Sequence, residues 1–347
     1  MNEHREKCET SAVIRRTNAA IFIPHLGCPH TCSFCDQNKT TRAQNSVGAK
    51  EVCDILDSYA VSLKQRGLTA QIGFFGGTFT ALSPQYREEL LSTANLYLEK
   101  HPELFKGIRC STRPDYIDES VLKQLRAFGV NAVELGVQSM DEEVLNLNNR
   151  NHSAEQVRQS AKLIKDFGFE LGVQMMTGLL GDTPLKSLNT ADELIKLKPD
   201  TARIYPTVII KGTLLGDLYE RGEFKTFSLE ETIELCAEIY RRFTENNIKV
   251  IRLGLNISSK SDMKNEVIGG NYGLQLGELC IGRYYYNRML EIMQKALPCK
   301  CFLIYADKRN FSKINGHRSV NKIELQKQGF TYSLVEKQDI DMDIHCC

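Results

Sequence analysis

The chain has 347 residues, 42% of them hydrophobic and 25% charged, with a formal net charge of +1. That balance fits a soluble globular protein with a substantial core, long enough for one large domain or two smaller ones, and a net charge so near zero singles out no partner. Charges run through the opening MNEHREKCETSAVIRR, and no apolar run reaches the ~18–20 residues of a membrane span, so neither a secretory signal nor a spanning helix is expected and the expected location is the cytoplasm.

The predicted elements alternate. AIFIPHL (20–26) is the first predicted strand, and a helix follows over 49–67. QIGFFGG (71–77) is the second strand. The helix after it starts on Ser83 as N-cap with Pro84 at its first position, a preorganised start. GIRCSTRP (107–114) is the third strand, and its helix stops on Gly129, a residue suited to a helix C-terminus. NAVELGVQS (131–139) is the fourth, with a helix over 153–168. ELGVQMMTG (170–178), a helix over 183–199 and TARIYPTVII (201–210) follow. A further helix opens on Ser228 with Glu231 three residues on, a capping box, and IKVIRLGLN (248–256) is one more strand candidate.

Each parallel return needs a crossover, so repeated strand–helix units predict an α/β protein with a parallel sheet. The pattern leaves open whether that sheet is a barrel or doubly wound. In either case the active site belongs at the C-terminal ends of the strands. Unusual residues fall there: Gly76-Gly77-Thr78, Ser111-Thr112-Arg113, Gln138-Ser139, Gln174 and Tyr205-Pro206.

From about residue 258 the pattern changes to a Gly-rich stretch, a helix over 283–297 and a strand in KCFLIYA (300–306). The expected organisation is an N-terminal extension over 1–17, a core over 18–257, and a small α+β C-terminal subdomain with a loose tail over 258–347. Residues 283–327 carry ten Lys and Arg against three acids. Such a stretch can bind RNA phosphates or simply form a solvated face.

Three of the twelve cysteines, Cys28, Cys32 and Cys35, lie in GCPHTCSFCDQ with C-x3-C-x2-C spacing, directly after the first strand. Structural zinc wants four closed ligands, often two C-x2-C pairs; one pair is present, and His25 or His30 leaves a Cys3His zinc site open. Three thiolates on a tight loop suit a four-iron cluster and leave one iron free for a small molecule. Cys280, Cys299, Cys301, Cys346 and Cys347 have no cluster-like spacing, and unpaired thiols are expected there rather than a second cluster.

With Phe34 before its last cysteine, the triplet resembles the signature of the radical SAM superfamily. The resemblance implies a partial (β/α)6 TIM-like barrel in which Cys28, Cys32 and Cys35 hold one [4Fe–4S] cluster. It further implies that the amino and carboxylate groups of S-adenosylmethionine chelate the open iron, and that one electron cleaves the sulfonium to a 5′-deoxyadenosyl radical that abstracts hydrogen from a substrate. GFFGGTF (73–79) is similar to the family's turn beside the methionine amino group, which assigns Gly76, Gly77 and Thr78, with Phe34, to the cofactor pocket. STRPDYID (111–118), ELGVQSMDEEVL (134–145) and RIYPTVIIKGTLL (203–215) resemble the radical SAM half of the Elongator catalytic subunit and its relatives, the oxygen-independent coproporphyrinogen oxidases, over about 18–225. By position, Gln138 and Arg150 match cofactor contacts of the oxidase branch. Ser111 and Gln174 fall at its ribose contacts, where that branch has carboxylates, and Arg113 is a further pocket candidate. Tyr205 and Lys211 are substrate-facing candidates.

Two departures limit what carries over. The Elongator subunit spaces its first two cysteines more widely, and it has an acetyltransferase domain for which the C-terminal part here is too short. The implied function is therefore a radical SAM enzyme with a flavodoxin- or ferredoxin-type electron donor and an unidentified substrate, an RNA base being the first candidate. The alternatives are a porphyrin-type oxidative decarboxylase and a cluster-bearing haem or metal chaperone without turnover.

Overall fold

The computed structural model describes residues 16–23, 25–36, 47–255, 266–273 and 275–347. Its main sheet has seven strands: β1 (Arg16–Ile23), β2 (Thr69–Gly76), β3 (Phe105–Thr112), β4 (Val130–Gln138), β5 (Glu170–Thr177), β6 (Thr201–Pro206) and, after the short β7 (Val208–Ile210), β8 (Lys249–Leu253). All are parallel, and their order in the sheet is their order in the chain. That order decides between the two architectures. A doubly wound sheet reverses direction at a switch point, and this one never does. Right-handed crossovers then put the crossover helices on one face, and the sheet curls into a half-barrel around the other. The crossover helices are α1 (Ala49–Arg66), α2 (Pro84–Lys100), α3 (Glu119–Ala127), the short α4 (Glu142–Leu147) with α5 (Ala154–Asp166), α6 (Pro184–Lys196), and α7 (Leu214–Glu220) with α8 (Leu229–Glu245).

Strand alternation sorts the residues between the faces. On β2, Ala70, Ile72 and Phe74 are buried under the helices, while Gln71 and Phe75 face the concave side. On β4, Val133, Leu135 and Val137 face the helices, and Glu134, Gly136 and Gln138 line the interior. Phe74 is fully buried and stacks on Phe79, with ring centroids 4.8 Å apart.

The stretch 201–210, read as one strand, is two. Pro206 has no N–H with which to continue the ladder, and β7 turns off to pair antiparallel with β9 (Val267–Gly270). The helix expected from Arg283 starts at Leu276 instead, as α9 (Leu276–Lys295). Gly277 is there for packing: a Cβ on it would stand 2.6 Å from the Leu253 carbonyl oxygen.

The C-terminal part adds β10 (Cys301–Ala306), α10 (Phe311–Asn315), α11 (Val320–Lys327), β11 (Thr331–Glu336) and β12 (Asp343–Cys346), the strands in the order β11-β10-β12. Its own apolar cluster gathers Tyr285, Met289, Met293, Phe302, Ile304 and Leu325. Two expectations need correction. The tail is not loose: β12 pairs with β10, and Asp341 is held by Arg288 at 2.7 Å and by Tyr285. Nor are all the late cysteines unpaired, since Cys299 and Cys346 form a disulfide. The pairing brings together residues 47 apart in sequence, which spacing rules cannot see. The expected extension over 1–17, apart from its last two residues, and the expected boundary at 257–258 lie outside the described residues. Among the described residues no helix is long and apolar enough to cross a membrane.

Removing the stacked ring tests this layer. Phe74→Ala should cost about 3–5 kcal/mol of unfolding free energy, read by chemical denaturation. A loss under about 1 kcal/mol would mean that the layer between sheet and helices is not packed as described.

Candidate active site

The concave face of the half-barrel encloses a cavity of about 1470 Å³ that runs from the C-terminal rim of the strands into the sheet's interior. The loop leaving β1, residues 25–36, covers its rim. Two local turns shape that loop: the Cys28 N–H donates to the His25 carbonyl at 3.1 Å, and the Cys35 N–H to the Cys32 carbonyl at 3.2 Å.

The near end of the loop crosses the turn after β2. The Gly77 N–H donates to the Ile23 carbonyl at 3.0 Å and the Thr78 N–H to the Leu26 carbonyl at 2.9 Å. A Cβ on Gly77 would stand 2.0 Å from the Leu26 oxygen, and one on Gly27, at φ +73°, 2.2 Å from the Thr78 oxygen. Only glycine fits on either side of that crossing. The resemblance assigned the glycine pair to the cofactor pocket; at Gly77 the protein's own backbone takes the space that a side chain would fill. Thr78 Oγ1 lies 3.4 Å from Cys28 Sγ.

The far end is pinned at Ser33. Its hydroxyl donates to Asn148 Oδ1 at 2.6 Å, its N–H to the Asn148 carbonyl at 3.2 Å, and its carbonyl accepts from the Leu215 N–H at 2.8 Å. Asn148 is fully buried, and its amide donates to the carbonyls of Val144 at 2.7 Å and Leu180 at 2.9 Å. Phe34 packs on Ile209, Leu215 and Phe224 while also lining the cavity. Sequence reasoning missed Ser33 and Asn148; the only hint was an asparagine pair just before Arg150.

Arg150, 5% exposed, reaches the loop from the segment after α4. Its Nη1 donates to Cys32 Sγ at 3.3 Å, its Nη2 donates to the Gly136 carbonyl, and its buried Nε has no partner among the described residues. Arg113 lines the cavity too, but its guanidinium is committed. It grips Asp115 at 2.9 and 2.8 Å, donates to His30 Nε2 at 2.9 Å and binds the Arg150 carbonyl. Arg113 therefore braces the loop and has little left for a ligand. Gln138 ends β4 at φ 68°, a conformation rare for side-chain-bearing residues, and accepts from Gln174 Nε2 at 3.3 Å. Gly76, Ser111 and Tyr205 also line the cavity, whereas Lys211 stands on the exposed turn after β7, outside its lining.

Burial, followed by the neighbouring Cys32 and Cys28, pushes the Cys35 thiol up to about 12. Three crowded thiols become thiolates together only beside a bound cation, which is what a metal cluster supplies. The donor set is soft sulfur, as iron–sulfur clusters require. Among the described residues no three His, Cys, Asp or Glu side chains converge on one point, the arrangement a single ion needs. Thiolates that each take a different iron of a cubane need no such point. The loop thus fits the cluster.

Deeper in the half-barrel lies a polar layer that the sequence reading did not pick out. Arg109 binds Glu170, Gln71 at 3.2 Å and Glu134 at 3.8 Å, and Arg203 donates to Glu134 at 2.8 Å. The available signal was a charge at an inward position of strands that otherwise read apolar, as in GIRCST and NAVELG.

The chain matches the model of the radical SAM superfamily over residues 22–194 and that of the Radical_SAM C-terminal domain over 199–283. It belongs to the radical SAM superfamily, and it is an enzyme whose cofactors are a [4Fe–4S] cluster and S-adenosylmethionine. Its radical SAM domain is of the Elp3 type. The chain is 30% identical over 244 residues to the tRNA uridine(34) acetyltransferase of Methanocaldococcus infernus, 65% of this chain and 43% of that protein. It is 32% identical over 182 residues to human Elongator complex protein 3, 47% of this chain and 33% of that one. It thus spans less than half the length of these relatives. The solved structure of Methanocaldococcus infernus Elp3 with an N-terminal deletion shares the fold at a TM-score of 0.63 and 22% identity, over 84% of this chain and 65% of that one.

Asn148→Ala removes the side chain that joins Ser33 to two buried carbonyls. It should cost about 1–3 kcal/mol in denaturation, and an unchanged midpoint would remove Asn148 from its anchoring role. A second outcome concerns His152, whose Nε2–H donates to the Val137 carbonyl at 3.2 Å while its buried Nδ1 has no partner among the described residues. Burial, then Arg150 and Arg113, lowers its pKa from 6.5 to about 3. The folded state holds this imidazole neutral while the unfolded chain protonates it near 6.5. Its contribution is therefore complete above that pH and is lost as pH falls toward 3, by up to about 1.4 kcal/mol per pH unit. Urea titrations at pH 7 and pH 5 should show that decline in the native protein and a smaller one in His152→Gln; equal declines would refute it.

Proposed function

We propose that Cys28, Cys32 and Cys35 each ligate one iron of the cluster, and that the fourth iron faces S-adenosylmethionine in the cavity beneath the loop. The observation that carries this is the loop itself: three thiols in eight residues, pinned at both ends and met by a buried arginine on Cys32. Loaded with its cofactors, the site supplies reductive cleavage of the sulfonium and abstraction of a hydrogen atom from substrate. The protein's part is placement. Arg150 offsets thiolate charge at Cys32 and has one N–H in reserve. Gly76, Gly77 and Thr78 form the wall beside the methionine end, and Phe34 closes the rim. Ser111 and the Gln138–Gln174 pair offer neutral hydrogen bonds to a ribose. Tyr205 faces the space left for substrate. Arg113 acts through His30 and Asp115 by holding the loop still.

For the substrate we favour a nucleic-acid base in RNA. Support comes from the relatives, whose names place them on tRNA uridine 34 or in Elongator, and from the basic C-terminal stretch. That stretch is less cationic than it reads, because Arg283 pairs with Glu230 and Glu234 on α8 and Arg288 with Asp341. The electron donor would be a flavodoxin or ferredoxin, which points to the cytoplasm as the compartment. We keep residues 18–257 as the radical SAM core and 258–347 as a subdomain packed on it; α9 joins the two, since its Leu276 and Cys280 belong to the main apolar cluster while its Tyr285 and Met289 share the second cluster with Ala237 of α8.

Protein purified without oxygen and reconstituted with iron and sulfide should yield 5′-deoxyadenosine from S-adenosylmethionine and dithionite. Cys28→Ala, Cys32→Ala and Cys35→Ala should each lose at least about 100-fold of that product, measured by chromatography. Cys32→Ala with an intact cluster and undiminished cleavage would overturn the assignment.

A further inference from the structure

Across the cavity from the cysteine loop, β6 and β8 present cationic groups for which the chemistry above has no use. Arg203 on β6 and Arg252 on β8 are partners in register. An irregularity in this pair of strands skips Ile251, so that Arg252 stands opposite Arg203. Both line the cavity. Arg203 is 8% exposed; Glu134 holds its Nε, the Phe75 ring lies 5.2 Å from its guanidinium, and its Nη2 is buried without a partner. Arg252 has a buried, unpartnered Nε, and no ion pair joins it to a carboxylate among the described residues.

The local charges do not cancel. Glu134 is shared between Arg203 and Arg109, and Glu170 binds Arg109, which leaves Arg252 with no carboxylate among the described residues. Around the whole cavity, seven Lys and Arg side chains face four Asp and Glu. A buried donor left unanswered destabilises the fold, the more so when it is charged. Two of them on adjacent strands, opening on one cavity, mark a place for an acceptor that arrives with a ligand.

The donors also indicate its shape. A planar carboxylate is best met by one whole arginine fork. Here Glu134 already takes the Nε of Arg203, and the buried donors left without a partner are Nη2 of Arg203 and Nε of Arg252, on two different side chains. Two separate donors and two positive charges suit a tetrahedral oxyanion with oxygens pointing several ways. Tyr205, two residues along β6 on the same face, touches Arg203 and adds a hydroxyl and a ring at the same spot.

We propose that Arg203 and Arg252 form an anion subsite that holds a phosphate group of the substrate, placing a nucleotide between it and the cysteine loop. This rests on reading the cavity as the active site, and it narrows the substrate to a phosphate-bearing one. Calorimetry on the full chain, without cluster or reductant, tests it with inorganic phosphate, uridine 5′-monophosphate, uridine and succinate as probes. Phosphate and the nucleotide should compete for one site, and uridine should bind at least about tenfold more weakly than its monophosphate. Arg252→Met should weaken phosphate about ten- to a hundredfold, and Arg252→Lys, which keeps the charge, should weaken it less, both with a native circular dichroism spectrum. Phosphate affinity unchanged in Arg252→Met, succinate binding as tightly as phosphate, or no phosphate binding by the native chain would each overturn the subsite. Cleavage of S-adenosylmethionine is read separately. Product without phosphate binding would sink the subsite alone, and phosphate binding without product would leave the subsite standing while the radical reading fell.

Discussion

The site depends on one backbone crossing. The chain leaving β1 and the turn after β2 pass so closely that Gly27 and Gly77 each face the other segment's carbonyl where a Cβ would be. Hydrogen bonds from Gly77 and Thr78 lock the crossing, and Thr78 brings its hydroxyl to Cys28. A loop that carries three thiols cannot hold itself, because crowded sulfurs repel once ionised and offer the backbone nothing in return. Rigidity has to be borrowed from the sheet. The crossing supplies it at one end, and the buried Ser33–Asn148 pair supplies it at the other. Between them the cysteines are fixed with respect to the strand ends, where the remaining pocket residues stand.

The same arrangement explains why the half-barrel tolerates charges inside. Burying an ion pair seldom stabilises a fold more than apolar residues of equal size would. Yet the concave face carries Arg109, Glu134 and Arg203 at 8% exposure or less, knit to Gln71, Glu170 and Thr201. With the crossover helices on the convex side, the apolar core is built there, and the concave face is released from packing. Polar residues on that face cost stability and are understandable if they meet a ligand. The network is also uneven: saturated toward β3 and β4, unsaturated toward β8.

Much of this was legible in the sequence. The regular alternation of short strand-like runs with capped helical stretches located the strands of the main sheet, and the cysteine spacing located the loop. What escaped were features set by contacts distant in sequence. The strand order that excluded a doubly wound sheet is a property of pairing, not of any segment. Pro206 could have ended the sixth strand on inspection, but the hydrophobic run TVII concealed it. Arg113 looked like a ligand contact because it sits at a strand end; only the structure shows its donors taken by Asp115, His30 and the Arg150 carbonyl. Cys299 and Cys346 meet because β12 returns beside β10, and a ten-residue acidic tail gives no sign of that.

The two ends of the cavity therefore differ in kind. At the loop, three sulfurs stand next to a buried arginine with one N–H to spare. At β6 and β8, two arginines stand without enough carboxylate. A substrate drawn only to the sulfur end would have no fixed orientation, and hydrogen abstraction demands one, since the reacting atoms must be held at near contact distance. The proposed cationic anchor across the cavity would fix the second point of the ligand, and the wall between, lined by Gln174 and Tyr205, would set what can lie along the line joining them. Specificity would then come less from the rim, where we propose that the cofactors bind, than from the strands most remote from β1 in the sheet.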